Sequence, residues 1–413
     1  MRSIPLLKAV EVTTNLAELF LLDPEIVFLN HGSFGACPRP VFEDYQRWQL
    51  TLERQPVAFL SSHRGLAKNL KAARLVLADE LGTSDQNIAM VTNATIGLNI
   101  VAQSLLLKES DEILTTDHEY SALEKTWNFV AARTGAKIVV MEVPLPLTSA
   151  EQFHAAVAKG FTDRTKVLFL SHITSPTALL FPIEGLITEA RQRGVLSVID
   201  GAHTPGHIPL SLDALGADFY AGNCHKWLMS PKGSAFLYAR PEVQRLVDPL
   251  VISHGWTVDR KEPGATGPFG NAPYVDAIEM QGTRDPAPWL AVPAAITFRR
   301  EHDWRSVAAD CQRLAQETAG RLAMLTGLAP LSSPEFSAPQ MVAMPIPTCD
   351  TAALKEALLN LYNIEIPVLT WHDHCIVRLS CQGYNTRAQM DVLIAALREQ
   401  LGLGAPAAKR AGG

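Results

Sequence analysis

Apolar and amphipathic stretches alternate between residues 86 and 240. The apolar stretches are continuous rather than interrupted by polar residues, which is typical of strands buried on both faces. In chain order they are NIAMVT, DEILTT, AKIVVMEV, TKVLFLSH, VLSVID, DFYAG and SAFLYAR. Segments with helical spacing lie between several of them, such as TIGLNIVAQSLLL, SALEKTWNFVAARTG and IEGLITEARQRG. This alternation predicts βαβ units and a largely parallel central sheet.

A second pattern follows the loop of glycines and prolines at 262–273. It consists of the helical segments AVPAAITFRREHDW and DCQRLAQETAGRLAMLTGL, the strand-like segments QMVAMPI, IEIPVLTW and IVRLSC, and a closing helix, NTRAQMDVLIAALREQLG. We therefore expect an α/β protein with a large domain at 26–285 and a smaller α+β domain at 286–403. Residues 1–25 are expected to form an arm associated with the small domain, and the tail at 404–413 is expected to be disordered.

Charge and cysteine content exclude several classes of protein. The net charge is −6 with both signs interspersed, so no basic stripe is available for a nucleic-acid backbone. No run of 18 apolar residues predicts a membrane span, and no signal-type cleavage site follows the N-terminal segment. The six cysteines form no CxxC pair, which favours reduced, mostly buried thiols. We expect a cytoplasmic protein with neither nucleic-acid nor membrane partners.

Candidate chemistry lies at the carboxyl ends of the predicted strands, where parallel sheets bind ligands. VLSVIDGAH ends its strand at Asp200, GNCHKWLMSPKG places Lys226 just after the next strand, and MVTNATIGLN leads from a strand into a helix start that can bind an anion. Alone, these features could be a turn aspartate, a surface lysine and a helix cap. Together they suit pyridoxal 5'-phosphate, which presents a ring nitrogen, an aldehyde and a phosphate.

Motifs along nearly the whole chain carry a resemblance to a known family. They are FLNHGSFG, TNATIGLN, DHEYSALEKTW, SHITSPTAL, VIDGAHTPG, GNCHKWLMSPKG, ISHGW, QGTRD and VRLSCQGYNT. The chain resembles the class V aminotransferase family of fold type I pyridoxal phosphate enzymes, in particular the branch of isopenicillin N epimerases and C–S lyases. The resemblance implies a mostly parallel central sheet flanked by helices in the large domain, which binds the cofactor. It also implies a homodimer with active sites at the subunit interface.

The resemblance implies roles for matching residues around the cofactor ring. Lys226 corresponds to the lysine of the internal aldimine, and Asp200 to the partner of the pyridinium nitrogen. His203 is expected beside the ring oxygen or the aldimine. Tyr120 takes the place of the aromatic residue that stacks on the ring, and Ser175 matches the position that contacts the ring hydroxyl.

Five further positions match residues that hold the phosphate. Ala94 and Thr95 are expected to contribute backbone amides and a hydroxyl, and Asn223 and His225 to add to that grip. Thr283 matches a residue that reaches the phosphate of the neighbouring subunit, which implies an obligate dimer.

The resemblance also implies a substrate subsite. Arg378 corresponds to the residue that clamps the α-carboxylate of an amino acid, and its fork of donors suits that group. Asn30 and His31 are expected to contact the substrate, and His31 is a candidate for a second proton donor. A turn or helix-cap histidine remains the alternative for His31.

The stretch TWHDHCIVRLSC raises two further possibilities. On a strand, His372 and His374 would share one face, but a single pair lacks the remaining ligands of a zinc site, so we predict no metal centre. Cys375 suggests a cysteine desulfurase, yet it lies only three residues before Arg378, apparently within the strand. The chain is therefore not expected to be a desulfurase of the kind with a mobile cysteine loop.

The expected reaction occurs at Cα of a small-molecule amino-acid substrate, through an external aldimine and a quinonoid. Reprotonation on the opposite face would give an epimerase of the isopenicillin N epimerase type, which we favour. Loss of a β-substituent would give a C–S lyase acting on a cysteine derivative or sulfoxide. Transamination and cysteine desulfuration are further alternatives that the sequence leaves open.

Overall fold

The computed structural model describes residues 16–404. The predicted arm is therefore described only from residue 16 onward, and 405–413 of the predicted tail lie outside the described residues. The strands are β1 (Val27–Phe28), β2 (Ile88–Val91), β3 (Glu112–Thr116), β4 (Lys137–Met141), β5 (Thr165–Ser171), β6 (Leu196–Gly201), β7 (Phe219–Asn223), β8 (Ala235–Ala239), β9 (Met341–Ile346), β10 (Ile364–Glu365), β11 (Val368–Trp371) and β12 (His374–Ser380).

Helices surround these strands. The α-helices are α1 (His31–Phe34), α2 (Arg39–Arg54), α3 (Pro56–Leu60), α4 (Ala67–Glu80), α5 (Ala94–Ser104), α6 (Ser121–Thr134), α7 (Ala150–Ala158), α8 (Glu184–Gln192), α9 (Leu212–Leu215), α10 (Pro273–Glu279), α11 (Ala287–Leu290), α12 (Val292–Glu301), α13 (Trp304–Thr326), α14 (Thr351–Tyr362) and α15 (Arg387–Gln400). No helix within residues 16–404 combines the length and the apolar character needed to cross a membrane.

The central sheet has seven strands in the order β2-β8-β7-β6-β5-β3-β4. Pairs along β7-β6-β5-β3-β4 are parallel, and β8 is antiparallel to both of its neighbours. The connection 224–234 between β7 and β8 is too short for a crossover helix, so the chain turns back beside β7. The predicted largely parallel sheet is confirmed, and the strand that breaks the rule directly follows the segment containing Lys226.

Both faces of the central sheet are covered, as the continuous apolar strands predict. In β5, Leu168 and Leu170 belong to the hydrophobic cluster on one face, and Val167 and Phe169 to the cluster on the other. Side chains of a strand alternate between faces, so this division requires apolar packing on both sides. Polar ligands can therefore approach the sheet only at its edges, and the carboxyl ends of the parallel strands meet at one edge.

The C-terminal region forms the smaller α+β unit that the sequence predicts. β11, β12 and β9 make an antiparallel sheet, against which α13 and α14 pack. β1 pairs in parallel with β10, so the start of the described chain is joined to this unit. α11 and α12 pack instead on α2 and α4, which connects the two parts immediately after the loop at 262–273. The exact domain limits remain a prediction.

The structure places a turn between the two predicted strands IEIPVLTW and IVRLSC, so TWHDHC is not one continuous strand. Trp371 pairs with His374 across β11 and β12, so His372 and Asp373 form the two-residue turn of a β-hairpin. His372 has a φ of 48°, as such turns require. Therefore His372 and His374 do not share one strand face. Residues 16–404 contain no group of three or more histidine, cysteine, aspartate or glutamate side chains able to hold a metal ion.

Candidate active site

A cavity of about 360 Å³ opens at the carboxyl edge of the central sheet. It collects residues that the sequence places at the ends of five different strands. The residues of the expected cofactor site that line it are Ala94, Thr95, Tyr120, Ser175, Asp200, His203, Asn223, His225 and Lys226. Arg378 lies directly behind the wall, since its guanidinium donates to Ser175 and Ser33. Three expected residues, Asn30, His31 and Thr283, do not line this cavity.

Asp200 is a buried carboxyl group at the end of β6, with 4% of its surface exposed. The Ala202 amide donates to its Oδ1 at 2.9 Å. Burial raises the pKa of Asp200 to about 6, against the opposing effects of this hydrogen bond and of the Lys226 charge. A cation placed next to Asp200, such as a protonated ring nitrogen, would favour the charged carboxylate.

Lys226 follows β7, and its Nζ lies 3.0 Å from Nε2 of His203. Burial lowers the pKa of Lys226 to about 7; the Arg378 charge acts in the same direction and Asp200 opposes it. Trp227 donates from its indole nitrogen to His203 Nδ1 at 3.3 Å, so neutral His203 carries its proton on Nε2. That proton faces the lysine nitrogen, an arrangement that suits an amine with a free lone pair.

The N-terminal motif FLNHGSFG packs directly on the segment that contains Lys226. Gly35 of FLNHGSFG has a φ of 71°, and a Cβ built on it would collide with the carbonyl oxygen of His225. Lys232 Nζ donates to the Gly35 carbonyl at 2.9 Å. The close approach requires glycine at this position. It holds the chain around residue 30 against the backbone that carries Lys226.

The N-terminus of α5 forms the anion-binding end of the cavity. Asn93 caps the helix by accepting from the Ile96 amide at 2.8 Å, and Asn223 Oδ1 accepts from the Ala94 amide at 2.8 Å. The Thr95 amide lies in the first turn, where the helix supplies no acceptor. Thr92 Oγ1, at the same wall, is buried without a hydrogen-bond partner in the described part of the chain. These donors and the helix dipole suit a phosphate group.

His225 lies at the same end of the cavity. Its Nδ1 is 3.2 Å from the carbonyl oxygen of Ser234, so this nitrogen carries the proton in the neutral ring. Burial lowers the pKa of His225 to about 4, and the neighbouring Lys226 charge acts in the same direction. Added negative charge from a ligand would reverse part of this shift.

Arg378, in β12 of the small domain, is oriented by hydrogen bonds to the large domain that lead back to Glu365 of the small domain. It donates to the Ser175 carbonyl at 2.5 Å and to Ser33 Oγ at 2.9 Å. Ser33 donates to Asn30 at 2.5 Å, and Asn30 donates to Glu365 at 3.0 Å. Arg378 Nε, in contrast, has no hydrogen-bond partner among the described residues. Asn30 thus acts on Arg378 through Ser33, a residue that the sequence reasoning missed.

The structure does not bring His31 into the cavity as the sequence suggested. Its ring is fully buried, with Nδ1 3.0 Å from the Tyr384 hydroxyl and Nε2 3.1 Å from the Lys226 carbonyl. Burial lowers the pKa of His31 to about 3, although the hydrogen bond to the Lys226 carbonyl opposes this effect. Both ring nitrogens are occupied, so His31 braces the lysine backbone and is poorly placed to protonate a substrate.

Glu119 is a second buried carboxyl group near the cavity that the sequence reasoning missed. It accepts from Thr116 at 2.7 Å and from Ser171 at 2.6 Å, and Ser171 pairs with Asp200 across β5 and β6. Burial raises the pKa of Glu119 to about 8; the two hydroxyls oppose this shift and the nearby Asp200 adds to it. The signal that could have identified Glu119 in the sequence was its place shortly after a buried strand, in the motif that also contains Tyr120.

Thr283 lies in a different cavity, of about 270 Å³, whose lining also includes Ser253, His254 and Arg284. Within one chain it does not reach the cavity of Lys226. The role expected for Thr283 therefore requires a second copy of the chain.

None of the cysteines in residues 16–404 lines the cavity of Lys226. Cys375 is 7% exposed within β12, and its thiol points to the Cys349 carbonyl at 3.5 Å. Cys224 is fully buried next to the lysine segment, where burial raises its pKa.

The residues of the cavity fit pyridoxal 5'-phosphate. A lysine amine whose pKa is near 7, a strand-end carboxyl group and a helix N-terminus with an unpartnered hydroxyl meet the aldehyde, ring nitrogen and phosphate of that molecule. The sequence model of class V aminotransferases matches residues 37–393. The chain belongs to the class V aminotransferase family. The chain is therefore an enzyme that uses pyridoxal 5'-phosphate.

Two groups of curated proteins are similar to this chain. The isopenicillin N epimerase of Amycolatopsis lactamdurans is 37% identical over 391 residues, which cover 93% of this chain and 98% of that protein. The isopenicillin N epimerase of Streptomyces clavuligerus is 37% identical over 384 residues, 91% of this chain and 95% of that protein. The L-cysteine desulfhydrase of Arabidopsis thaliana is 29% identical over 363 residues, 82% of this chain and 77% of that protein.

Solved structures share the fold of this chain. A mutant of C-DES with glycine covalently linked to its pyridoxal phosphate superposes with a TM-score of 0.77 at 21% identity, covering 93% of this chain and 98% of that one. A cysteine desulfurase from Escherichia coli gives a TM-score of 0.76 at 24% identity, over 94% and 98% of the two chains. These matches confirm the predicted fold type I architecture.

Proposed function

We propose that this enzyme is an amino-acid epimerase of the isopenicillin N epimerase type, which inverts the configuration at Cα. The observation that carries the proposal is the 37% identity to isopenicillin N epimerase of Amycolatopsis lactamdurans over 93% of this chain and 98% of that protein. The geometry supports it, because the cavity joins an amine able to take a proton, Lys226, to a buried guanidinium, Arg378.

In this proposal the ring of the cofactor is held by residues from several strand ends. Lys226 binds its aldehyde, and Asp200 faces its ring nitrogen, where the carboxylate keeps the nitrogen protonated. The Nε2–H of His203 and the hydroxyl of Ser175 would donate hydrogen bonds to the ring oxygen, and Tyr120 would pack on the face of the ring. When bound, pyridoxal phosphate withdraws electrons from Cα and thereby acidifies the Cα–H bond.

The phosphate is held at the start of α5. Ala94 and Thr95 belong to its first turn, whose dipole favours an anion. Asn223 accepts from the Ala94 amide and so orients that end of the helix, while His225 lines the same wall. Thr283 contributes from the neighbouring subunit.

The amino acid is oriented by its α-carboxylate. Arg378 binds this carboxylate through a guanidinium that Ser33 and Ser175 already hold in place. Because the guanidinium is nearly buried, its hydrogen bonds to a carboxylate are charge-assisted and geometrically specific. Lys226, whose amine lies in the same cavity, would remove the Cα proton. Its low pKa keeps a large fraction of the amine neutral near pH 7.

A β-eliminating C–S lyase is the second candidate. It is supported by the 29% identity to L-cysteine desulfhydrase of Arabidopsis thaliana over 82% of this chain. It needs the same base and carboxylate clamp, so the cavity is compatible with it. An aminotransferase is a further alternative. A cysteine desulfurase is another, although none of the described cysteines lines the cavity of Lys226.

One incubation distinguishes these reactions. Purified enzyme loaded with pyridoxal phosphate is mixed in D2O with isopenicillin N, with a panel of L-amino acids and with L-cysteine. We expect inversion at Cα with uptake of one deuterium and no release of pyruvate. Pyruvate formation without any inverted product would contradict the epimerase. Transamination would instead convert the cofactor absorbance to that of the pyridoxamine form. Lys226→Ala is the control and should lose the absorbance of the lysine-bound cofactor.

We also propose a homodimer whose interface borders the active site. Thr283 lies outside the cavity of its own chain, and several apolar side chains near the two cavities are exposed. They are Phe34, Ile96, Leu250, Val251 and Ile252. Light scattering should give twice the chain mass of 45.0 kDa. A monomeric mass with full activity would contradict the proposal.

A cytoplasmic location is proposed as well, supported by six free cysteines.

A further inference from the structure

We propose that Tyr120 is the proton donor of the epimerisation and delivers a proton to the face of Cα opposite Lys226, the base. This inference rests on the proposed epimerase function and deepens it. It replaces His31, whose ring is buried behind the lysine backbone. Inversion requires a proton to leave from one side of Cα and another to arrive from the other side. A single lysine does not reach both sides.

The order of strands places Tyr120 and Lys226 on opposite sides of the site. Lys226 follows β7, Asp200 ends β6, and Tyr120 follows β3. In the sheet, β6 lies between β7 on one side and β5 and β3 on the other. A ligand whose ring nitrogen faces Asp200 therefore has Lys226 toward one flank and Tyr120 toward the other. Both side chains line the same cavity.

Arg378 brings the substrate Cα between these two groups. Arg378 donates to the Ser175 carbonyl at 2.5 Å, and Ser175 lines the same cavity as Tyr120 and Lys226. A carboxylate held by Arg378 has its Cα one bond away, within the space that Tyr120 and Lys226 border.

The other titratable groups of the cavity are committed elsewhere. Asp200 lies at the base of the cavity, where the ring nitrogen is expected. His203 is 3.0 Å from the lysine nitrogen and thus on the same flank. His225 carries its proton on Nδ1 toward the Ser234 carbonyl, and Lys232 donates to the Gly35 carbonyl. Only the Tyr120 phenol remains, among the cavity residues of the described chain, as a proton donor on the far flank.

The proton balance closes without a further reactant. Lys226 takes the Cα proton as the C–H bond breaks, and the electron pair is held by the bound cofactor. The Tyr120 O–H bond then breaks, and its proton forms the new C–H bond on the opposite face. This leaves an ammonium on Lys226 and a phenolate on Tyr120. Tyr120 is 41% exposed, so water returns a proton to the phenolate and removes one from the lysine.

Tyr120→Phe tests the inference because it keeps the aromatic ring and removes only the acidic hydroxyl. Both enantiomers of an amino acid that the wild type inverts are incubated separately in D2O. We expect inversion to fall by at least about 10²-fold, the usual contribution of general acid catalysis. Exchange of the α-hydrogen should persist for the one enantiomer whose proton Lys226 removes. Absorbance titrations should show unchanged uptake of pyridoxal phosphate by the apoenzyme and unchanged binding of the amino acid.

Tyr362→Phe makes the same change at a hydroxyl that contacts Gln400 on the surface, and it should behave as the wild type. Inversion by Tyr120→Phe at the wild-type rate would refute the role of Tyr120 alone. So would a joint loss of α-hydrogen exchange for both enantiomers and of amino-acid binding, since Tyr120 would then only position the ligand. A wild type that inverts no amino acid would refute the proposed function itself, before any variant is compared.

Discussion

The amine of Lys226 should react as a neutral nucleophile near pH 7, and the apoenzyme allows this to be measured. Its pKa is lowered from 10.5 to about 7, mainly by burial. At pH 7 about half of such an amine is neutral, compared with roughly one part in 3,000 for an ordinary lysine whose pKa is 3.5 units higher. The reactive fraction therefore rises by about 10³-fold, which suits both capture of an aldehyde and removal of a Cα proton.

Two variants test the physical origin of this shift. Arg378→Met removes a positive charge that lowers the pKa of Lys226, so the pKa should rise. Asp200→Asn removes a carboxyl group that raises the pKa, so it should fall. Because burial is the largest cause and remains in both variants, neither should return the amine to the value of a free lysine.

The assay is pulsed reductive methylation of the apoenzyme at a series of pH values, followed by peptide mass spectrometry. Methylation of Lys226 should reach half of its maximum near pH 7, with the exposed Lys355 of the same sample as the reference amine. A midpoint of Lys226 that coincides with that of Lys355 would refute the reasoning. A decrease of the midpoint in Arg378→Met would show that the sign of the electrostatic effect is wrong.

Two of the three further predictions concern residues around the site, and the other concerns a buried ion pair of the large domain. Burial raises the pKa of Glu119 from 4.5 to about 8, so the contribution of Glu119 to stability is complete below pH 4.5 and is lost as the pH rises through 8. Calorimetry of the apoenzyme between these pH values should show a smaller loss of stability in Glu119→Gln than in the wild type. Arg74→Met leaves the buried Glu279 carboxylate without its 2.7 Å ion pair, and urea titration should show a loss of about 3–5 kcal/mol. Asn30→Ala should raise KM for the amino acid about 3- to 10-fold with little change in kcat, since one hydrogen bond in the support of Arg378 is lost; an unchanged KM would contradict this.

Local sequence patterns were sufficient to predict the helices and strands and the residues at the centre of the site. Strands buried on both faces have continuous apolar sequences, and their carboxyl ends meet at one edge of a parallel sheet. Asp200 and Lys226 could therefore be assigned to one cavity from their positions after neighbouring strands. The hairpin turn at His372 and Asp373 could not be recognised, because its polar residues also fit an extended strand and the pairing partner is set by the register of β11 and β12.

The sequence by itself determined the elements, the family resemblance, the cofactor and the pairing of Asp200 with Lys226 at one edge. Only the tertiary structure decided that His31 lies between Tyr384 and the Lys226 backbone, outside the cavity. It also decided that Asn30 contacts Glu365, more than three hundred positions along the chain. The physical reason is that periodicity reports which residues are buried, whereas the partner of a buried polar group depends on segments that fold together from distant parts of the chain.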